Sequence, residues 1–205
     1  MKVNIAATKT NLLRVKKTLA MTREGYELLD QKRKILMTEL NTVVHMTERL
    51  QRDVDAKLKE AYGLLDRATV VMGRKRLEGL SFSIDIKSIL SLSQRRIMGV
   101  SIPLVNLKTA ENPPYYSPYA ISFYVDETIT KFKEAVQLLA QLAEKKIALL
   151  RLAKELQKTI RKVNALEKIY LPYYSVSLKY IGDRLDEESR DAFSMLKLIK
   201  ERLGK

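Results

Sequence analysis

The chain has 205 residues, carries 38 Lys and Arg against 24 Asp and Glu, and contains no cysteine. Disulfides and thiolate metal sites are therefore excluded. Its 30% charged residues break every apolar run well short of the roughly eighteen residues that span a bilayer, and the basic start Met1 to Lys17 lacks the apolar core of a secretory signal. A soluble or peripheral protein is expected, and zero Cys is compatible with the cytoplasm.

The excess of +14 is not held in a tail, because residues 1–60, 61–123 and 124–205 carry +5, +4 and +5. A basic rod can follow a phosphate backbone by charge alone. The densest run, Lys145 to Lys168, has 8 basic residues against Glu155 and Glu167 and no interleaved aromatics to stack bases. A solvated outer face, or one that meets an acidic protein surface, is the preferred reading.

In chain order, Thr8, Thr10 and Asn11 offer N-caps ahead of a long apolar stripe. From Leu12 through Val15, Leu19, Thr22, Tyr26, Leu29, Arg33, Leu36, Leu40, Val43, Thr47, Leu50, Val54, Leu58, Ala61 and Leu65 to Ala68, the mean step is 3.5 residues. That is the seam of a coiled coil rather than the face of a helix lying on a globular core. Gly25 and Gly63 interrupt it beside Tyr26 and Tyr62. Close approach of another backbone is preferred there over simple softening of the helix. His45, the only histidine, points off the seam and has no second ligand, so it is read as a surface residue.

From Gly73 to Pro118 the pattern changes. Gly73 and Gly79 bracket Arg74, Lys75 and Arg76, which reads as a helix exit with cations at the negative end of the dipole. Phe82, Ile84 and Ile86 then alternate with polar residues like a half-buried strand, and Ile97 to Leu107 forms a second β-like run interrupted by Gly99 and Pro103. A β-hairpin or small sheet is expected, with Pro103 at an edge or bulge. Lys108 to Pro118, including Asn112, Pro113, Pro114, Tyr115, Tyr116 and Ser117, reads as a rigid return loop, with an extended recognition surface of prolines and tyrosines as the alternative.

Tyr124 to Tyr170 contains neither Gly nor Pro. Val125, Ile129, Phe132, Val136, Leu139, Ala143, Ile147, Leu150, Ala153, Leu156, Ile160, Val163, Leu166 and Tyr170 again step by about 3.5 residues. Two matched seams joined by about fifty residues predict an antiparallel pair, with the numbers of facing residues summing to near 193. Pro172 predicts a kink or a break. Asp186, Glu187 and Glu188 look like the charged first turn of a last amphipathic helix carrying Phe193, Leu196, Ile199 and Leu203. On the same register Leu12 meets about Ile181, which leaves the last twenty or so residues without a partner in the chain.

The expected fold class is mainly α: a long antiparallel two-helix coiled-coil hairpin, a small β-hairpin-containing region at the bend and an amphipathic C-terminal helix. Three segments divide it, at 1–72, 73–123 and 124–205, as one elongated unit. No GxxxxGK[ST] loop, HExxH, GxSxG or cysteine cluster occurs, so neither catalysis nor a cofactor is expected. The shape suits an adaptor, a tether or an axle; a basic coiled-coil scaffold and a nucleic-acid binder are the alternatives, the latter recognisable by a steep salt-dependent affinity.

Several blocks carry a family resemblance: Leu12-Leu13 running into Arg23-Glu24-Gly25-Tyr26-Glu27-Leu28-Leu29 and Lys32-Arg33, Met98-Gly99-Val100 with Ile102-Pro103, Lys158 to Glu167 reading KTIRKVNALE, then Ile169 and Pro172. Leu185 to Glu188, Arg190, Phe193, Leu196-Lys197 and Ile199-Lys200 extend it. The chain resembles the D subunit of the V-type and archaeal A-type rotary ATPases over nearly its whole length. Leu171 stands where Ile or Val often precedes the family's proline.

The resemblance implies a noncatalytic central axle, peripheral through its complex on the cytoplasmic side of a membrane. It implies both termini inside a hexamer of catalytic and noncatalytic nucleotide-binding subunits, a bend that faces the membrane rotor through a funnel-shaped subunit, and a small F subunit on the stalk. Direct nucleic-acid binding is not expected. Candidate hexamer-bearing contacts are Arg161, Lys162, Asn164, Glu167, Phe193 and Lys197; candidate stalk or membrane-side contacts are Arg74, Lys75, Arg76, Arg95 and Arg96.

Overall fold

A computed structural model describes residues 5–110, 113–117, 119 and 121–203. Of the expected loop Lys108 to Pro118, Glu111, Asn112 and Pro118 lie outside the described residues, and Lys108 to Ala110 belong to the second strand rather than to a loop. The elements run α1 (Lys9–Met72), α2 (Arg74–Ser81), β1 (Lys87–Ile97), β2 (Val100–Ala110), α3 (Phe123–Ala165), a π-helical turn (Leu166–Tyr170) and α4 (Leu171–Leu203). The fold is mainly α, as the seams predict. Two compact units divide it: Leu36–Glu155, and Met1–Ile35 together with Leu156–Lys205.

In the second of these units α1 starts at a reciprocal cap. Thr8 Oγ1 accepts the Asn11 N–H at 3.2 Å, and Asn11 Nδ2 donates back to the Ala6 carbonyl at 2.9 Å. Val15, Leu156, Val163, Ser177 and Ile181 are buried. Leu171 N–H bonds the Leu166 carbonyl five residues back, so a π turn precedes Pro172 and the chain stays helical. Of the kink or break expected at Pro172, no break occurs. Asp186 to Glu188 lie inside α4 rather than opening a new helix, and every described residue from Asp186 onward is exposed.

In the unit Leu36–Glu155, α1 and α3 run antiparallel. Lys57 pairs with Glu134 at 2.9 Å and Glu60 with Lys131 at 3.0 Å. Tyr62 meets Phe132 edge to face at 5.3 Å between ring centroids, and the Ser122 N–H donates to Met72 Sδ at 3.4 Å. These pairs sum to 191–194, around the expected 193. Leu36, Val54, Ala61, Leu64 and Ala68 supply the α1 core.

The α1 seam holds along its length: each of its seventeen expected positions is buried or half-buried. The α3 seam does not. Val136, Leu139, Ile147 and Leu150 are exposed, while Ala135, Leu142, Ala148 and Leu152 are buried. The buried stripe is thus offset from the expected one and holds small Ala as well as Leu. Polar seam positions satisfy themselves locally, Thr47, Thr128 and Ser177 each donating to the carbonyl four residues back at 2.6–2.7 Å.

Gly25 and Gly63 have nothing within 4 Å of where a Cβ would stand, so neither serves close packing. Gly73, at φ +82°, ends α1. Arg74, Lys75 and Arg76 therefore open α2 as well as following α1, which corrects their reading as an exit turn alone. The alternation at 82–86 is connection, not strand; the first strand starts at Lys87. Ser122 Oγ accepts the Tyr124 N–H at 3.4 Å as the N-cap of α3, and the Tyr116 hydroxyl bonds Asp126 in its first turn.

Candidate functional site

The β-hairpin turns through Met98 and Gly99, both at positive φ (49° and 82°), so Ile97 and Val100 close a two-residue loop. This primed turn matches strand twist and fixes the phase of the ladder. Odd-numbered β1 residues and even-numbered β2 residues bond each other, while odd-numbered β2 residues turn their backbone groups outward. Contacts with α3 agree with that phase. The Val105 N–H donates to Glu144 Oε2 at 2.8 Å, and the Ser101 carbonyl accepts Arg151 Nη1 at 2.9 Å. Pro103 lies on the same outward edge, where its missing N–H costs no ladder bond.

Glu144 is a buried carboxylate, 8% exposed. Burial pushes its pKa up, but the Lys145 ammonium at 2.8 Å and the Val105 N–H outweigh that and hold it below the ordinary carboxylate value. Val100 and Ile102 are the buried residues of the sheet. The hairpin therefore lies back along α3, with its turn end by Arg151 and its open end by the start of that helix.

At that open end a cavity of about 390 Å³ is walled by Leu65 and Ala68 of α1, Leu77 and Leu80 of α2, Ile84, Ile86, and Val125, Ile129 and Phe132 of α3. Lys133 reaches its rim, its ammonium 5.3 Å above the Tyr115 ring. Sequence reading missed this chamber by assigning Ile84 and Ile86 to a strand face. The signal was in the same residues, apolar groups just after a short amphipathic helix.

The basic candidates form two separate groups. Arg74, Lys75 and Arg76 are exposed in the first turn of α2. Arg95 and Arg96 are exposed at the turn end of β1, beside Ile102 and Ser101 and on opposite faces of the hairpin. Seven and eight strand positions separate Arg95 and Arg96 from Ser88 on the cavity wall, roughly 25 Å of extended chain.

The other candidates also divide. Arg161, Lys162 and Asn164 are exposed around the fully buried Val163 at the end of α3, and Glu167 is exposed in the π turn. Phe193 and Lys197 share a face of α4 roughly 40 Å further along the helix. Phe193, Leu196, Ile199 and Leu203 are 71%, 65%, 51% and 82% exposed, an apolar stripe that nothing among the described residues covers. His45 lies on the surface, 3.9 Å from Glu48. No group of three or more His, Asp or Glu side chains suited to a metal ion occurs among the described residues, and no described helix is long and apolar enough to cross a membrane.

The family model that describes the D subunit of ATP synthase matches residues 11–201, both helical arms and the hairpin included. The chain belongs to the family of ATP synthase D subunits. It is 35% identical to the A-type ATP synthase D subunit of Thermococcus sibiricus over 97% of this chain and 94% of that one. Identity to the A-type D subunit of Thermococcus kodakarensis is 34% over the same shares. The V-type ATP synthase D subunit of Thermotoga neapolitana is 30% identical over 99% of this chain and all of its own. As a D subunit, the chain is a stalk subunit of a rotary ATPase and works within a complex of other ATPase subunits.

Proposed function

We propose that this D subunit is the noncatalytic axle of its complex, carrying torque between a nucleotide-binding hexamer and a membrane rotor. The observation that carries the reading is the cross-tied antiparallel pair of α1 and α3, in which two ion pairs and one edge-to-face ring pair link the helices between Lys57 and Tyr62. Torque requires a shaft that does not shear, and cross-links between two antiparallel helices oppose such shear. A basic, well-solvated surface meets acidic patches by charge without deep apolar adhesion that would stop rotation.

Arg161, Lys162, Asn164 and Glu167, with Phe193 and Lys197, are the proposed contacts with catalytic and noncatalytic hexamer subunits. Arg74, Lys75, Arg76, Arg95 and Arg96 are the proposed contacts with the small F subunit of the stalk or the funnel-shaped subunit that leads to the rotor ring. The complex would place this chain on the cytoplasmic side of the membrane. The domain reading 1–72, 73–123 and 124–205 treats the middle segment as the partner-binding bend.

The test is co-purification with catalytic hexamer, with and without the small F subunit, and then ATPase assay. One chain per hexamer, dependent on residues 171–205, is expected. Arg161→Glu with Lys162→Glu should loosen hexamer contacts while leaving helix content unchanged. Unchanged coupling in that double variant would remove the bearing role from this stretch.

A further inference from the structure

The two edges of the β-hairpin are treated differently. On β2 two of the outward backbone groups are engaged by α3, the Val105 N–H by Glu144 and the Ser101 carbonyl by Arg151. On β1 the outward groups belong to Ser88, Leu90, Leu92, Gln94 and Arg96, by the ladder phase that the turn sets. No hydrogen bond to those backbone groups occurs among the described residues. Leu90 and Leu92 lie opposite the half-buried Leu107 and Val105, on one face of the sheet, yet are themselves 53% and 68% exposed.

A long, regular edge with unpaired N–H and C=O groups and exposed leucines is a template for another strand. We propose that β1 receives an extended segment of another subunit of the complex, in which apolar residues alternate with acidic ones. The apolar residues would extend the face of Leu90 and Leu92, and the backbone would supply the third strand. Charge selects the occupant. Lys87, Arg95 and Arg96 are exposed at the two ends of the strand. A second copy of β1 laid antiparallel would set Lys87 near Arg95 and Arg96, and a parallel copy would set Arg against Arg; like charges opposed across strands destabilise pairing. An acidic segment meets the same charges favourably.

This inference rests on the chain's place in an ATPase complex, and the two readings fail separately. Co-elution reports assembly; amide hydrogen exchange in the assembled complex reports the edge. On assembly the Leu90, Leu92 and Gln94 amides should slow at least tenfold relative to the free chain. Leu92→Pro deletes only an outward N–H, so Ser91 and Ser93 should keep their ladder protection while Leu90 and Gln94 return toward free-chain rates. Arg95→Glu with Arg96→Glu should cut the assembly-dependent protection at least tenfold. The proposal is overturned if those amides exchange in the assembled complex as fast as in the free chain, or if the Leu92→Pro complex keeps their protection.

Discussion

Glu144 on α3 accepts the Val105 N–H of β2 at 2.8 Å, a buried carboxylate used to finish a sheet edge. The bond is charge-assisted, and its removal leaves a half-buried backbone donor unsatisfied. Glu144→Ala should therefore destabilise hairpin docking by about 1–3 kcal/mol. Glu144→Gln keeps an acceptor and should lose less. Because the folded carboxyl sits below its ordinary value, its contribution is fully present above the ordinary carboxylate range and is lost as pH falls through the lowered one. Exchange of the Val105 amide with pH checks this: protection should fall on acidification in the wild type and become pH-independent, beyond intrinsic chemistry, in Glu144→Gln.

The network of Lys57, Glu60, Lys131 and Glu134 ties α1 to α3 at the surface. Hydrogen bonding to Lys57 holds the Glu134 carboxyl down, Lys131 does the same for Glu60, and Glu134 raises Lys57. The carboxylates contribute above their ordinary pKa and lose that contribution as pH falls through the lowered values. Lys57 contributes below the ordinary lysine pKa and loses it as pH rises through the raised one. Thermal melts of Glu134→Gln should show a shallower acid limb than wild type between about pH 5 and 3. Added salt should shrink the difference at neutral pH, since these side chains face water.

The fold was legible wherever burial follows from apolar spacing alone. The α1 seam and the pairing sum near 193 came through because the residues at the 3.5-residue step are buried or half-buried, while apolar residues off that step, such as Leu13, Leu28 and Val70, are exposed. On α3 spacing misled: two apolar stripes coexist, and the one with Val136, Leu139, Ile147 and Leu150 is exposed while Ala135 and Ala148 are buried. No single-residue hydrophobicity tells a helix which of two stripes its partner can approach most closely. The hairpin's existence was visible, its first strand was not, since Ile84 and Ile86 alternate like a strand but wall a cavity. Among the candidate surfaces, exposure of the basic residues was readable from charge. The open β1 edge was not, because it depends on which backbone groups α3 covers.

Gly63 lies on the exposed face of α1, with nothing within 4 Å of where an added methyl group would stand. Gly63→Ala should stabilise the helix by about 1 kcal/mol, through the lower backbone entropy that Ala loses on folding. Gly25→Ala should behave alike, and the pair should add, being far apart in sequence. A raised midpoint in chemical denaturation with an unchanged slope checks it. A loss of stability would mean that a neighbour occupies space the fold leaves open.

Met98 and Gly99 hold the phase on which both edges of the hairpin depend. Met98 has φ +49°, a left-handed conformation that costs an L-residue roughly 1–2 kcal/mol and costs Asn less. Met98→Asn makes the Asn-Gly pair favoured in this turn type and should stabilise the hairpin by roughly 1 kcal/mol. Gly99→Ala, at φ +82°, should destabilise it by about 1–2 kcal/mol although no neighbour would clash. Amide exchange at Ile97 and Arg95, the ladder residues next to the turn, reads both changes. Protection should rise in Met98→Asn and fall in Gly99→Ala, and the reverse order would mean that another turn geometry sets the register.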